Sequence, residues 1–152
     1  MLPTPTKFTL VAGAGEGSTA LNAFDRALLE AGAGNVNLLR VSSILPPGAR
    51  YLEQIALPPG ALVPVAYGTI KSATPGERIA AAVAVGIPES GYGVIMEYSG
   101  HTSAEEAERI IRKMVEEAFV MRGLNLVTYR VKSVEHRVKN VAAVFAGIVL
   151  WY

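Results

Sequence analysis

Hydrophobic residues fall along this chain in short β-rich runs punctuated by glycine and proline, and in two places the spacing changes to that of a helix. Lys7 to Gly13, KFTLVAG, reads as a strand ending in glycine. The following GAGEG reads as a turn, after which Ser18 or Thr19 can cap a helix. Leu21, Phe24, Leu28 and Ala31 then keep helical spacing, and Gly32 and Gly34 stop it. Asn35 to Ile44 reads as a second strand, ended by Pro46-Pro47.

Leu62 to Ile70, Ile79 to Ile87 and Tyr92 to Tyr98 are further strands, set apart by Pro58-Pro59-Gly60 and Pro75-Gly76. Ile79 to Ile87 is alanine-rich, which weakens its strand signal. The clearest element is a helix over Ala104 to Met121. Ala107, Ile110, Ile111, Met114, Val115, Ala118 and Phe119 make its apolar stripe. Thr102 with Glu105, or Ser103 with Glu106, can form a capping box, Glu105–Arg109 and Glu108–Arg112 are i,i+4 pairs, and Gly123 is the stop. Leu124 to Val131 and Val141 to Tyr152 finish the chain as strands, the last apolar throughout and so buried on both faces. About seven strands, mostly following one another directly, with two helices, predict an α+β fold of largely antiparallel sheet.

Composition narrows the chemistry. The 152 residues suit one domain, and 51% hydrophobic with 18% charged residues indicates a globular chain. A net charge of +1 without a Lys/Arg cluster argues against a nucleic-acid surface. Without cysteine there can be no disulfide, thiolate metal site or cysteine nucleophile. MLPTPTKFTL lacks the apolar core of a signal peptide, and Val141 to Tyr152 is too short to span a bilayer as a helix, so a soluble, cytoplasmic protein is expected.

Three segments are candidates for function. VAGAGEGS invites a dinucleotide-binding reading, but Ser18 stands where the third glycine belongs and no acidic residue follows at the required distance. A tight glycine turn is the better reading. His101 and His136 have no metal-ligand spacing and read as surface or capping residues. GNVNLLRVSSILPP, Gly34 to Pro47, sets Asn35, Asn37, Arg40, Ser42 and Ser43 in an apolar strand. Polar groups there need partners if the strand is buried. An edge strand with one wet face explains them only in part, because alternation puts Leu39 and Val41 beside Asn35, Asn37 and Ser43.

That segment resembles the self-processing segment of the pyruvoyl-dependent arginine decarboxylases. VAGAGEGSTALNAFDRALLEAG, GALVPVAYG, GVIMEYSG and VFAGIVLWY have counterparts in that family in the same order, covering nearly the whole chain. The resemblance implies an αββα-type sandwich and self-cleavage of the single domain, residues 1–152, into residues 1–42 and 43–152. In such processing Ser43 Oγ attacks the Ser42 carbonyl. Elimination from the resulting ester releases Ser42, and the residue left at position 43 hydrolyses to a covalent pyruvoyl group, losing ammonia.

Asn37 resembles the family asparagine implicated in processing, and Glu97 resembles the catalytic glutamate that supplies a proton. Glu97 is also the sole charged residue in GVIMEYS, where apolar neighbours should raise its pKa. Asp25 resembles the residue that holds the substrate guanidinium. It borders the stripe of Leu21, Phe24 and Leu28, which suggests half-burial, and its alternative is a solvent-facing aspartate paired with Arg26. The resemblance further implies a trimer with active sites between neighbours, converting L-arginine to agmatine and carbon dioxide at the entry to polyamine synthesis. The rivals are a pyruvoyl decarboxylase of another amino acid, such as histidine or lysine, and an unprocessed homologue with a structural or binding role.

Overall fold

The computed structural model describes residues 2–152. It contains two helices and two sheets in four layers. Sheet A runs β2(Asn37–Arg40), β5(Leu62–Ser72), β9(Ala142–Trp151), β1(Lys7–Glu16) and β4(Arg50–Tyr51). Sheet B runs β3(Ile44–Leu45), β7(Gly93–Gly100), β6(Arg78–Ile87) and β8(Thr128–Arg137). Helix α1(Ala20–Ala31) covers the outer face of sheet A and α2(Ala104–Arg122) that of sheet B. All pairings are antiparallel except β1–β4 and β2–β5. This is the expected α+β sandwich.

Alternation builds the layers. In β9, Ala142, Val144, Ala146, Ile148 and Leu150 face sheet B, while Ala143, Phe145 and Val149 face α1. In β6, Ile79, Ala81, Val83 and Val85 face sheet A, while Ala80, Ala82 and Ala84 face α2. Both central strands are buried on two sides, so continuous apolar runs replace the in–out pattern. This explains how an alanine-rich segment forms a strand: Ala80, Ala82 and Ala84 lie under α2, Ile79, Val83 and Val85 fill the core between the sheets, and packing overrides propensity.

The glycine run is not a turn. Strand β1 continues through it to Glu16, and its glycines lie against α1. A Cβ at Gly13 would stand 2.3 Å from the Ala27 carbonyl oxygen, one at Gly15 would stand 2.6 Å from Ala27 N, and one at Gly17 would stand 2.6 Å from Ala23 N. Two strand residues advance about 6.6 Å and four helix residues about 6 Å, so glycine at every second strand position meets successive helix turns. Thr19 caps α1 by accepting from Asn22 N at 3.1 Å, and Gly32 ends it at φ 84°.

Other boundaries differ from the sequence pattern. Residues 124–127 carry no strand, and β8 begins at Thr128. Ser103 caps α2, accepting from Glu106 N at 3.1 Å, but the Glu106 carboxylate turns outward to Arg109 (2.9 and 2.5 Å) instead of closing a capping box. The surface pairs are therefore Glu106–Arg109 and Arg112–Glu116, not Glu105–Arg109 and Glu108–Arg112, because a forked contact at i,i+3 satisfies the guanidinium better. The expected strand Asn35–Ile44 is split into β2 and β3, which belong to different sheets.

Gly13→Ala should lower stability by about 1–3 kcal/mol, the usual cost of overpacking. Denaturant unfolding of uncut protein checks this, with no loss as the contrary result.

Candidate active site

Strand β5 faces β7 across the sandwich: Ser99 Oγ donates to the Thr69 carbonyl at 3.1 Å, and a Cβ at Gly68 would lie 3.3 Å from Glu97 Cβ. The next strands outward are β2 on sheet A and β3 on sheet B. Residues 41–43 cross from one to the other and close that edge of the sandwich. Val41 still belongs to sheet A, its N–H donating to the Val65 carbonyl at 3.1 Å. Ser43 already belongs to sheet B, its carbonyl accepting from Ile95 N at 2.7 Å. The Ser42–Ser43 peptide lies at the crossing, with Ser42 exposed and Ser43 half-buried.

The register brings Ser43 close to Glu97. Ile44 pairs with Val94, and the Ile95 N–H to Ser43 carbonyl bond extends that pairing by one residue. Leu45 packs in the core between the sheets, so the pleat directs Ser43, two residues earlier, to the same face. Ile95 also lies in that core, and Glu97 shares its face. Ser43 and Glu97 are thus diagonal cross-strand neighbours, with Cα atoms about 7–8 Å apart. Gly68, which has no side chain, lets β5 approach Glu97 closely. Partial burial raises the pKa of that carboxyl, and the charge of Arg40 offsets part of the rise. A carboxyl in this state keeps its proton to higher pH than a fully solvated one, which suits a general acid.

Arg40 was visible in the sequence only as one polar residue of a strand. Its Nη2 donates to the Tyr67 carbonyl at 2.8 Å and its Cζ sits 4.3 Å from the centre of the Tyr67 ring. The signals that could have drawn attention to this corner were an arginine two residues before a Ser-Ser pair and a glycine inside an otherwise apolar strand.

The other candidates lie apart from Ser43 within one chain. Asn37 begins β2, and its Nδ2 donates to the Gly60 carbonyl at 3.1 Å, fastening the turn before β5. Asp25 is exposed on α1 instead of half-buried, because the buried side of the helix is Ala23, Ala27 and Leu28. It forms no ion pair among the described residues, with Arg26 or any other cation. The histidines pair with carboxylates. His136 Nε2 lies 2.6 Å from Glu16, which also accepts from Lys139 N and Asn140 N at 2.9 and 3.0 Å. His101 pairs with Glu77.

An apolar recess of about 280 Å³ flanks the crossing, lined by Val41, Ser42, Ile44, Pro64, Leu150 and Tyr152 together with Leu2, Pro3, Pro5 and Pro46. The larger clefts lie along the β1 and β8 edge, away from Ser43.

A family model described as pyruvoyl-dependent arginine decarboxylase matches residues 7–149. The chain is 52% identical over 150 residues to the pyruvoyl-dependent arginine decarboxylase of Methanocaldococcus jannaschii, covering 97% of this chain and 91% of that protein. It is 46% identical to the enzyme of that name from Thermococcus sibiricus, covering 98% of each. With the one from Pyrococcus horikoshii it shares 45% identity over 98% of this chain and 96% of that protein. The serine pair at the crossing, the glutamate on the facing strand and this match over nearly the full length lead to one conclusion: the chain belongs to the pyruvoyl-dependent arginine decarboxylase family.

Proposed function

We propose that this protein decarboxylates L-arginine to agmatine and carbon dioxide, with a pyruvoyl group generated from its own Ser43, at the entry to polyamine synthesis in the cytoplasm. The observation that carries the reading is the crossing at residues 41–43. It leaves the Ser42–Ser43 peptide between two anchored strands and Ser43 on the face of Glu97.

That arrangement supports self-processing. Ser43 Oγ is adjacent to the Ser42 carbonyl and can attack it, turning the amide into an ester. Loss of the Ser43 α-proton then breaks the Cβ–O bond and leaves Ser42 with a free carboxylate. Val41 is held by β5 and Ile44 by β7, so both new ends stay anchored after the cut. Residues 1–42 keep β1 paired with β9 along ten residues, which supports lasting association of the two fragments.

The residues at position 43 fit a pyruvoyl group. The Ile95 N–H on the Ser43 carbonyl fixes that carbonyl and withdraws electrons from the atom beside it. Once formed, the group supplies a ketone that can bind the substrate amine and accept the electrons left by departing carbon dioxide. Glu97 holds the proton that replaces carbon dioxide on the α-carbon.

Asp25 is the guanidinium holder in this reading, and its exposure supports a site shared between subunits. An exposed carboxylate on α1 of one subunit can enter a neighbour's site, where a bidentate contact favours arginine over lysine or histidine. Beyond residues 7 and 8 the β1 edge pairs with no further strand, and β8 is likewise an edge of sheet B, which supports a closed homo-oligomer such as a trimer. Asn37 in this reading acts on processing by holding β2 and the Gly60 turn in register.

Ser43→Ala should abolish both cleavage and agmatine formation, checked by gel and product assay. Fragments appearing in the variant would mean external proteolysis. Glu97→Gln should still cleave but lose about 10²–10⁴ in turnover, the usual contribution of a positioned acid. A loss under about tenfold would remove Glu97 from the role. Asp25→Asn should weaken arginine use by at least about tenfold, mainly in KM, and leave cleavage intact. Kinetics on arginine, lysine and histidine check this, and unchanged arginine kinetics would overturn the arginine assignment.

A further inference from the structure

Strand β2 stops at Arg40, and its pairing with β5 ends at Arg40↔Val65. Strand β5 runs on to Ser72, so beyond Val65 its outer edge has no partner strand. The Arg40 side chain fills the start of this gap. Its guanidinium continues along the β5 edge and gives the Tyr67 carbonyl the hydrogen bond that another β2 residue would have supplied.

The guanidinium is also held flat. It stacks on the Tyr67 ring at 4.3 Å, and that ring is packed against Phe145 (5.2 Å) and Phe24 (6.5 Å). A ring wedged between two others makes a rigid platform, and a planar cation docked on it by both stacking and a hydrogen bond has little freedom.

The edge so capped lies one residue from Glu97, because Gly68, next after Tyr67 on β5, is the residue against Glu97 Cβ. Around Glu97, β6 contributes Val83 and β5 contributes Gly68. Met96 and Tyr98 turn to the α2 side. Lys71 on β5 lies over the Phe24 ring on the α1 side, 5.1 Å from its centre. Lys132 pairs with Val83 from the far side of β6. Among the described residues, Arg40 is the cation whose charge opposes the rise in the Glu97 pKa.

We propose that Arg40 is a positioning residue of the decarboxylation site: docked on Tyr67, its guanidinium replaces the missing strand beyond β2 and holds a fixed positive charge at the β5 edge, one residue from the contact of Gly68 with Glu97. This rests on the assignment of Glu97 above. The fixed charge limits how far burial can lock Glu97 in its neutral form, so that the group can both give and regain a proton in each turnover. A flexible lysine would supply charge without the fork and the flat stacking face.

The test is a direct titration of the Glu97 carboxyl by carbon-13 NMR in uncut Ser43→Ala protein, which needs no catalysis. Arg40→Met should move the Glu97 midpoint up by at least about half a pH unit, the scale expected for removing a nearby, partly solvated charge. Arg40→Lys should stay closer to the parent, and Arg40→Gln repeats the measurement if the methionine variant is insoluble. In the processed enzyme, the high-pH limb of kcat should move up with the midpoint, because the donor must be protonated. An unmoved midpoint in the neutral variants, or a lysine variant that shifts as far as methionine, overturns the proposal. Failure of the decarboxylase reading would look different: the midpoint would still respond to Arg40 while wild-type protein formed no agmatine.

Discussion

Between Val41 and Ile44 the backbone leaves one sheet for the other, and the candidate site depends on that step. A chain continuing along sheet A would keep Ser43 on the far side of the sandwich edge from Glu97. A crossing by a long loop would leave the serine pair loosely held. Here three residues bridge the sheets, with an N–H to carbonyl bond to β5 at one end and another to β7 at the other. The peptide at the centre is thus the least supported link between two well-supported strands. A cut there costs the fold little, since each side retains its own ladder.

The close fit of the layers sets where that edge lies. Gly13, Gly15 and Gly17 let α1 settle onto β1, and the alanines of β6 let sheet A and α2 both approach sheet B. Larger residues at these positions would separate the layers. Between the sheets the same constraint acts at Gly68, where a Cβ would stand 3.3 Å from Glu97 Cβ.

Much of this was legible in the residue pattern, and the exceptions have physical causes. Both helices, the doubly buried last strand and the unusual carboxylate of GVIMEYS could be read directly, because each rests on local periodicity or on one charge among apolar neighbours. The glycine run looked like a turn, because glycines spaced by two mark a loop and a helix-contacting strand equally well. Asn37 and Ser43 shared a face only on the assumption of one continuous strand, which the sheet change breaks. Asp25 borders the apolar stripe, yet α1 rests on so small a strip of alanine that its border is exposed in a single chain. The docking of Arg40 on Tyr67 was not legible, since it depends on where β2 stops relative to β5, a long-range matter of register.

The central claim is that residue 43 becomes a ketone at the start of the larger fragment. Purified wild-type protein treated with phenylhydrazine and mapped by mass spectrometry tests it most directly. The account predicts two chains, residues 1–42 and 43–152, with the second lighter by one ammonia than a serine-initiated fragment and carrying the label on its first residue. A single intact chain, or a serine-initiated second fragment without label, would contradict it.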